Sequence, residues 1–532
     1  MKVLVSDQIH GAGIELLKKE AEVEVAIGLD KEELIDRIKD KDALVVRSAT
    51  KVTRDVLEAA EKLKVIGRAG VGVDNIDVKY ATEKGVIIVN APTASSITVA
   101  ELTMGLMISL ARNIPQANAS IKAEKWEKKK FLGIELRGKT LGIIGMGRIG
   151  SQVVKKAKAF EMKCIAYDPY ISKSIAQEIG VEIAESVDEV YKNSDFITLH
   201  VPMTEHTKHL INKDAFDKIK KGVYLINAAR GGIIDEMALY EALKSGKVGG
   251  AALDVFEKEP PFGNPLLEID NFIGTPHLGA STEEAQRFAS TIACEEVLKV
   301  LRGEPPLNVV NMPRLSPEVL NRLKHHINLA ETLGTFAIQM VEGRIKDVEV
   351  VYCGTLAEEN QKDILTNAIL KGLLNEILSE SVNLLNAPVV AKNRDIRITE
   401  GKREDAGKYD NMIMLRVKTD LEETVLEGSS YGIETKIVSV NGYSVEVVPK
   451  GRMLVVHHED KPGMIGGVST LLGEQGINIG AMQVGRKEKS ETQLMIIFID
   501  HKVKKEVIEK ISGIEGVRKV FSLNMGDENE SY

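Results

Sequence analysis

Two groups of residues in this chain are of types and spacings that could do chemistry. The first is the glycine run Gly145-Met-Gly147-Arg148-Ile149-Gly150. Leu141 to Ile144 ahead of it are apolar or glycine, as in a strand buried on both faces. SQVVKKAKAF behind it has helical spacing, with Val153, Val154, Ala157 and Phe160 on one side and Lys155, Lys156 and Lys158 on the other. Strand, glycine turn and helix in that order leave backbone amides open at a helix N-terminus, where a pyrophosphate can sit. Gly145 suits the tight turn, Gly147 a close approach of backbone to phosphate, and Gly150 close packing of helix on strand. Asp168 ends the apolar segment KCIAYD, 23 residues after Gly145, the spacing of an acid that binds the ribose hydroxyls of a dinucleotide. A carboxylate there repels a 2′-phosphate, so NAD is expected rather than NADP.

The second group is Arg230 in NAARGG, Glu259 in DVFEKEP and His277 in TPHLGAST. Oxidising a secondary alcohol with a nicotinamide needs a base for the hydroxyl proton and a cation that fixes the substrate. Histidine titrates near neutrality, a carboxylate behind it orients the ring, and arginine offers a planar fork that matches a carboxylate. Spacing does not show that the three converge, and His277 taken singly could be a capping or packing residue ahead of a helix start at Ser281.

These residues must be positioned by alternating strands and helices. Residues 1–92 alternate apolar strands (KVLVSD, VEVAIG, ALVVRS, KVIGRAG, VIIVNAP) with helical text such as KEELIDRIKD, which implies parallel βα units. Ligands of such sheets bind at the C-terminal strand ends. Arg47-Ser48 and Arg68-Ala69-Gly70 stand at those ends and could hold a carboxylate or phosphate, or be surface arginines. SSITVAELTMGLMISLAR (95–112) reads as a helix leading into the dinucleotide unit. Beyond the glycine turn the alternation resumes, with His200, Arg230 and Asp254 at strand ends. GEPPLNVVNMP marks a boundary near residue 310. Residues 314–450 read as α+β, and Arg452 to Met525 read as βαββαβ, the ferredoxin-like split motif, which leaves a face or edge for a second copy.

The 532 residues suffice for three or four domains, and 43% hydrophobic content suffices for their cores. A net charge of −8 without a basic stripe argues against nucleic acid. Three scattered cysteines make neither a disulfide framework nor a metal site, and no apolar run is long enough to span a bilayer. The expectation is a cytoplasmic protein without metal, nucleic-acid partner or membrane anchor.

GMGRIG, NAARGGIIDE, DVFEKEP and TPHLGAST, in this order in a split two-domain frame, resemble the D-isomer-specific 2-hydroxyacid dehydrogenases. VRSATKVT, GRAGVGVDNID and KWEKKKFLGIEL resemble more narrowly the D-3-phosphoglycerate dehydrogenase branch in its long form, and the C-terminal module resembles an ACT domain. The resemblance implies a Rossmann-type doubly wound parallel sheet (96–282) inserted in a flavodoxin-like substrate domain (1–95 and 283–310). An α+β regulatory domain (311–450) and a ferredoxin-like ACT domain (451–532) would follow. It implies Arg230, Glu259 and His277 as the catalytic set. Gly145, Gly147, Arg148, Ile149, Gly150, Asp168, Pro202, Ala228 and Asp254 would bind NAD, the last near the carboxamide. Arg47, Ser48, Arg68 and Gly70 would bind 3-phosphoglycerate, and His458, Asp460 and Asn478 would bind L-serine as effector at a subunit interface of a homotetramer. Val71 departs from the pattern, since some members carry Thr there. The other readings are a dehydrogenase of another 2-hydroxy acid and a non-catalytic NAD(H)-sensing protein on the same scaffold.

Overall fold

The computed structural model describes residues 1–526 apart from 172–175, 177, 313–316, 361, 379–381, 433 and 488–489. Pro313, residues 379–381 of the helical text in the third region, and the last six residues of the C-terminal module therefore lie outside it.

Continuous apolar runs make the first sheet. KVLV, ALVV and VIG are almost wholly buried, as expected of parallel strands covered on both faces by helices. The order is Glu22–Val25, Lys2–Val5, Ala43–Val46, Val65–Arg68, Ile87–Asn90, all parallel. The C-terminal ends of the third and fourth carry Arg47 and Arg68.

The second sheet has seven parallel strands, ordered Phe272–Gly274, Val248–Leu253, Val223–Asn227, Phe196–Leu199, Thr140–Ile144, Lys163–Tyr167, Glu182–Ile183. Thr140–Ile144 is the switch point: the next strand pairs on one side and the chain then crosses to the other. The crevice beyond its C-terminal end is where doubly wound sheets bind ligands. Helix Ser96–Arg112 packs on this sheet through Ala100, Met104, Met107 and Leu110. Helix Glu283–Leu301 carries the chain back, packing on helix Gly11–Lys18 and on the strands Val65–Arg68 and Ile87–Asn90. One expectation is corrected here. Phe160 does not join the buried side of its helix, which ends at Ala159; Phe160 caps it and is 44% exposed.

The third sheet crosses residue 450 without a break. Ten strands run in the order Arg397–Arg403, Ile345–Gly354, Asn411–Thr419, Glu423–Tyr431, Glu434–Val440, Tyr443–Val447, Ile479–Arg486, Thr492–Ile499, Arg452–Glu459, Val517–Asn524. The join is the antiparallel pair Ser444 and Arg486. Tyr443, Val445 and Val447 on one side share a core with Met453, Val455, Leu494 and Ile496 on the other. From Arg452 onward the order is strand, helix Met464–Glu474, two strands, helix Lys505–Ser512, strand, the predicted βαββαβ.

The segment leaving the catalytic half is stitched to the first sheet: Val309 bridges Val89, and Asn311 donates to Val86 O and accepts from Ile88 N. Among the described residues no single helix is long and apolar enough to cross a membrane.

Candidate active site

The glycine turn has the shape its sequence implies. Gly145 has φ 97°, in the left-handed region where a side chain is strained. A Cβ on Gly150 would lie 2.2 Å from the Gly145 carbonyl oxygen, so only glycine allows helix Arg148–Ala159 to sit this close to its strand. Gly147 is the N-cap and supplies no side-chain cap, and a Cβ there would meet nothing within 4 Å. Open space beside uncapped first-turn amides is what a pyrophosphate requires, so the residues present fit a dinucleotide. Asp168 lies against the turn, its carboxylate accepting from Met146 N at 2.8 Å and Tyr170 N at 2.8 Å.

His277 and Glu259, eighteen residues apart, meet: Nδ1 of His277 lies 3.0 Å from Oε2 of Glu259. With Nδ1–H donating to the carboxylate, Nε2 carries the lone pair that can accept a proton. Both side chains are about half exposed, so the pair adds little stability, and orienting the ring is what it can do. His277 has φ 55°, a conformation costing about 1–3 kcal/mol for a non-glycine residue. Asp254 offsets it. Its fully buried carboxylate accepts from Thr275 Oγ1 (2.6 Å), Leu278 N (2.7 Å) and Gly279 N (2.8 Å), and its carbonyl accepts from His277 N (2.9 Å). Asp254 thus pins the histidine loop, a role beyond the one the resemblance implies for it. Ala228 is buried at the end of its strand, and Pro202 is exposed, its carbonyl accepting from Thr207 Oγ1. His200, at the next strand end, bonds to Thr198 Oγ1 through Nε2, and burial pushes it down to about 4.

Arg47, Arg68 and Arg230 come from three strand ends in two lobes and are near enough for their charges to interact. Burial, and then the Arg230 and Arg47 cations, push Arg68 down to about 10. Its Nε is buried without a protein partner. Three close cations, one with an orphaned donor, make a site for an anion. Gly70 lets the Arg68 guanidinium lie against the backbone, where a Cβ would be 1.7 Å from Nη1. Ser48 is exposed on the Arg47 loop.

Several residues that hold this site were not singled out from the sequence. Asp7 accepts from Arg47 N and Thr50 N and Oγ1, and Asn75 donates to Arg47 O and Thr50 O. Asn90 donates to Val71 O, fixing the glycine loop after Arg68. Buried Glu236 accepts from Glu257 N and Asn264 Nδ2, which ties down the loop bearing Glu259. Asp7 and Asn90 follow or end strands, so the strand-end rule that found Arg47 and Arg68 could have found them.

The residues expected to hold the effector do not meet within one chain. Asp460 precedes helix Met464–Glu474 and Asn478 follows it, so eleven helical residues, about 16 Å at 1.5 Å each, lie between them. Both are exposed, and Asn478 donates to Asp500 at 2.7 Å. His458 is buried, its Nδ1 donating to Glu459 O while Nε2 has no partner.

A dinucleotide turn at a switch point, an imidazole backed by a carboxylate and an arginine set across two lobes define the class of D-isomer-specific 2-hydroxyacid dehydrogenases. The pattern of that class's NAD binding domain matches residues 104–279. The D-3-phosphoglycerate dehydrogenase intervening domain matches 322–441 and the ACT domain 452–516. The chain belongs to the D-3-phosphoglycerate dehydrogenase family. The D-3-phosphoglycerate dehydrogenase of Methanocaldococcus jannaschii is 55% identical over 525 residues, 99% of this chain and 100% of its own. That of Archaeoglobus fulgidus is 46% identical over 97% of this chain and 98% of its own. Among solved structures, the D-lactate dehydrogenase from Aquifex aeolicus complexed with NAD and lactic acid is 32% identical, with a TM-score of 0.53 over 59% of this chain and 100% of its own. The chain is accordingly an NAD-dependent oxidoreductase that takes a small-molecule substrate and carries an effector-type domain.

Proposed function

We propose that this chain oxidises D-3-phosphoglycerate at C2 to 3-phosphohydroxypyruvate, the first step of the phosphorylated route to L-serine, and that L-serine inhibits it. The observation that carries the substrate is the gathering of Arg47, Arg68 and Arg230, which suits a molecule with a phosphate at one end and a carboxylate at the other. Arg230 binds the carboxylate and the C2 oxygen; Arg47, Ser48, Arg68 and the Gly70 backbone bind the phosphate. NAD, when bound along Gly145, Gly147, Arg148, Ile149, Gly150 and Asp168, accepts the hydride that leaves C2. Nε2 of His277 takes the hydroxyl proton, and Glu259 holds the ring and stabilises the imidazolium. Asp254 keeps the histidine loop in place.

On this reading residues 1–95 and 283–310 are the substrate domain and 96–282 the NAD domain. Residues 311–450 are the intervening domain and 451–532 the ACT domain. L-Serine binds between two copies, Asp460 of one facing the ammonium and Asn478 of the other the polar groups, with buried His458 shaping the floor. The working unit is a homotetramer in the cytoplasm.

The test is NADH formation across a panel of 3-phosphoglycerate, D-glycerate, D-lactate and 2-hydroxyglutarate, with and without L-serine. A clear preference in kcat/KM for 3-phosphoglycerate, lowered by serine, is the expected result. Preference for an unphosphorylated acid gives the site to another member of the class, and no NADH with any of them leaves an NAD(H)-sensing protein.

A further inference from the structure

Arg230 faces a carboxylate from its own chain. Its Nε lies 3.5 Å from Oδ2 of Asp74. The pair crosses the cleft, because Asp74 follows strand Val65–Arg68 of the first sheet and Arg230 follows Val223–Asn227 of the second. Gly72 makes the approach possible: a Cβ there would lie 2.4 Å from Nη2 of Arg230 and 2.7 Å from Oδ2 of Asp74. The carboxylate is not needed to shape its loop. That work falls to Asn75, which holds Arg47 O and Thr50 O, and to Asn90, which holds Val71 O. Asp74 itself is 77% exposed, while Arg230 is 33% exposed.

Three close cations repel one another, and Asp74 and Asp7 are the acids whose charge reaches Arg68 among them. Asp7 is occupied by Arg47 N, Thr50 N and Thr50 Oγ1, which leaves Asp74 as the exposed acid of the cluster. At 3.5 Å and mostly in water, its contact with Arg230 is a weak ion pair that a forked, bidentate carboxylate displaces readily.

We infer that Asp74 is an internal competitor for the substrate: its carboxylate pairs with the Arg230 guanidinium across the cleft, and the carboxylate of the incoming 2-hydroxy acid takes its place. The inference rests on the reading of Arg230 as the residue that binds the substrate carboxylate. Arg230 Nη1 donates to Ala229 O at 2.7 Å, which holds the guanidinium in place, and Asp74 competes with substrate for its other edge.

The test uses the full-length enzyme with NAD bound. For Asp74→Asn, the expected KM for 3-phosphoglycerate is about two- to fivefold lower with kcat within about twofold of wild type, the size of a surface ion pair. Asp74→Glu, which keeps the charge, should restore the wild-type KM. Inorganic sulfate, titrated calorimetrically as an anion probe, should bind Asp74→Asn more tightly by a similar factor, with the gain shrinking at high salt. An unchanged or raised KM, or a fall in kcat with KM unaltered, overturns the inference. If the wild-type enzyme makes no NADH from 3-phosphoglycerate, the functional reading fails, and sulfate alone decides the role of Asp74: tighter binding to Asp74→Asn supports it, and equal or weaker binding overturns it.

Discussion

The catalytic cleft and the ACT module solve the same problem, gathering polar groups far apart in sequence, in opposite ways. In the cleft, Glu259 and His277 meet at 3.0 Å and three arginines from two lobes interact, all within one chain. In the ACT module, Asp460 and Asn478 stand at opposite ends of helix Met464–Glu474 and face solvent. A doubly wound sheet aims all its strand ends at one crevice, so a single chain can complete a site there. A split βαββαβ unit sends its loops to both ends, and on the proposed reading a site using one loop from each end is completed by a second copy.

The largest expected effect sets the two regions apart directly. Arg230→Ala and His277→Ala should each lose at least about 100-fold in kcat/KM, and mixed assemblies of the two variants should show no more activity than the sum of the separate proteins. Asp460→Ala and Asn478→Ala should each lose the response to serine. A mixed assembly of those two should regain part of it, because one interface site then has Asp460 and Asn478 both intact. Complementation in the cleft, or none in the ACT module, would break the contrast.

Gly150→Ala tests the tightest packing in the cleft. Its Cβ would meet the Gly145 carbonyl at 2.2 Å, so the helix must move from the strand. NAD affinity measured by titration should fall by about tenfold or more, since overpacking of this kind typically costs about 1–3 kcal/mol. Serine binding should be untouched.

The smallest effect is common to both regions. Burial pushes His200 in the NAD-binding sheet and His457 in the ACT sheet from the ordinary 6.5 to about 4. Below about pH 6.5 the unfolded chain takes up protons that the folded one refuses until about pH 4, so stability falls as pH drops through that window and the loss is complete below it. His200→Gln and His457→Gln should each lessen the drop in thermal midpoint between pH 7 and pH 4.5, by an amount corresponding to about 1–3 kcal/mol.

What could be read from the sequence was what lies in contiguous text. The glycine turn and Asp168 each sit just beyond an apolar strand, whereas Arg230, Glu259 and His277 were joined only by the resemblance of the text around them. The supports escaped because each acts on a loop far from it in the chain: Asp7 on the loop after Arg47, Glu236 on the loop of Glu259, Asp74 on Arg230 in the other lobe. Asp254 shows what a strand end alone leaves open. The resemblance implies a place beside the nicotinamide, and burial with four local hydrogen bonds adds a hold on the His277 loop that no spacing announced. The continuity of the third sheet was hidden too, since its join is one residue pair, Ser444 with Arg486, between segments that read as separate modules.

The most direct test of the catalytic reading is a single-turnover measurement of NADH absorbance with 3-phosphoglycerate, comparing wild type with His277→Ala, and with NADH binding followed by fluorescence in the same samples. The expected result is equal NADH affinity with the rate of the variant lower by at least about two decades. Equal rates in the two proteins would contradict the assignment of His277 as the base.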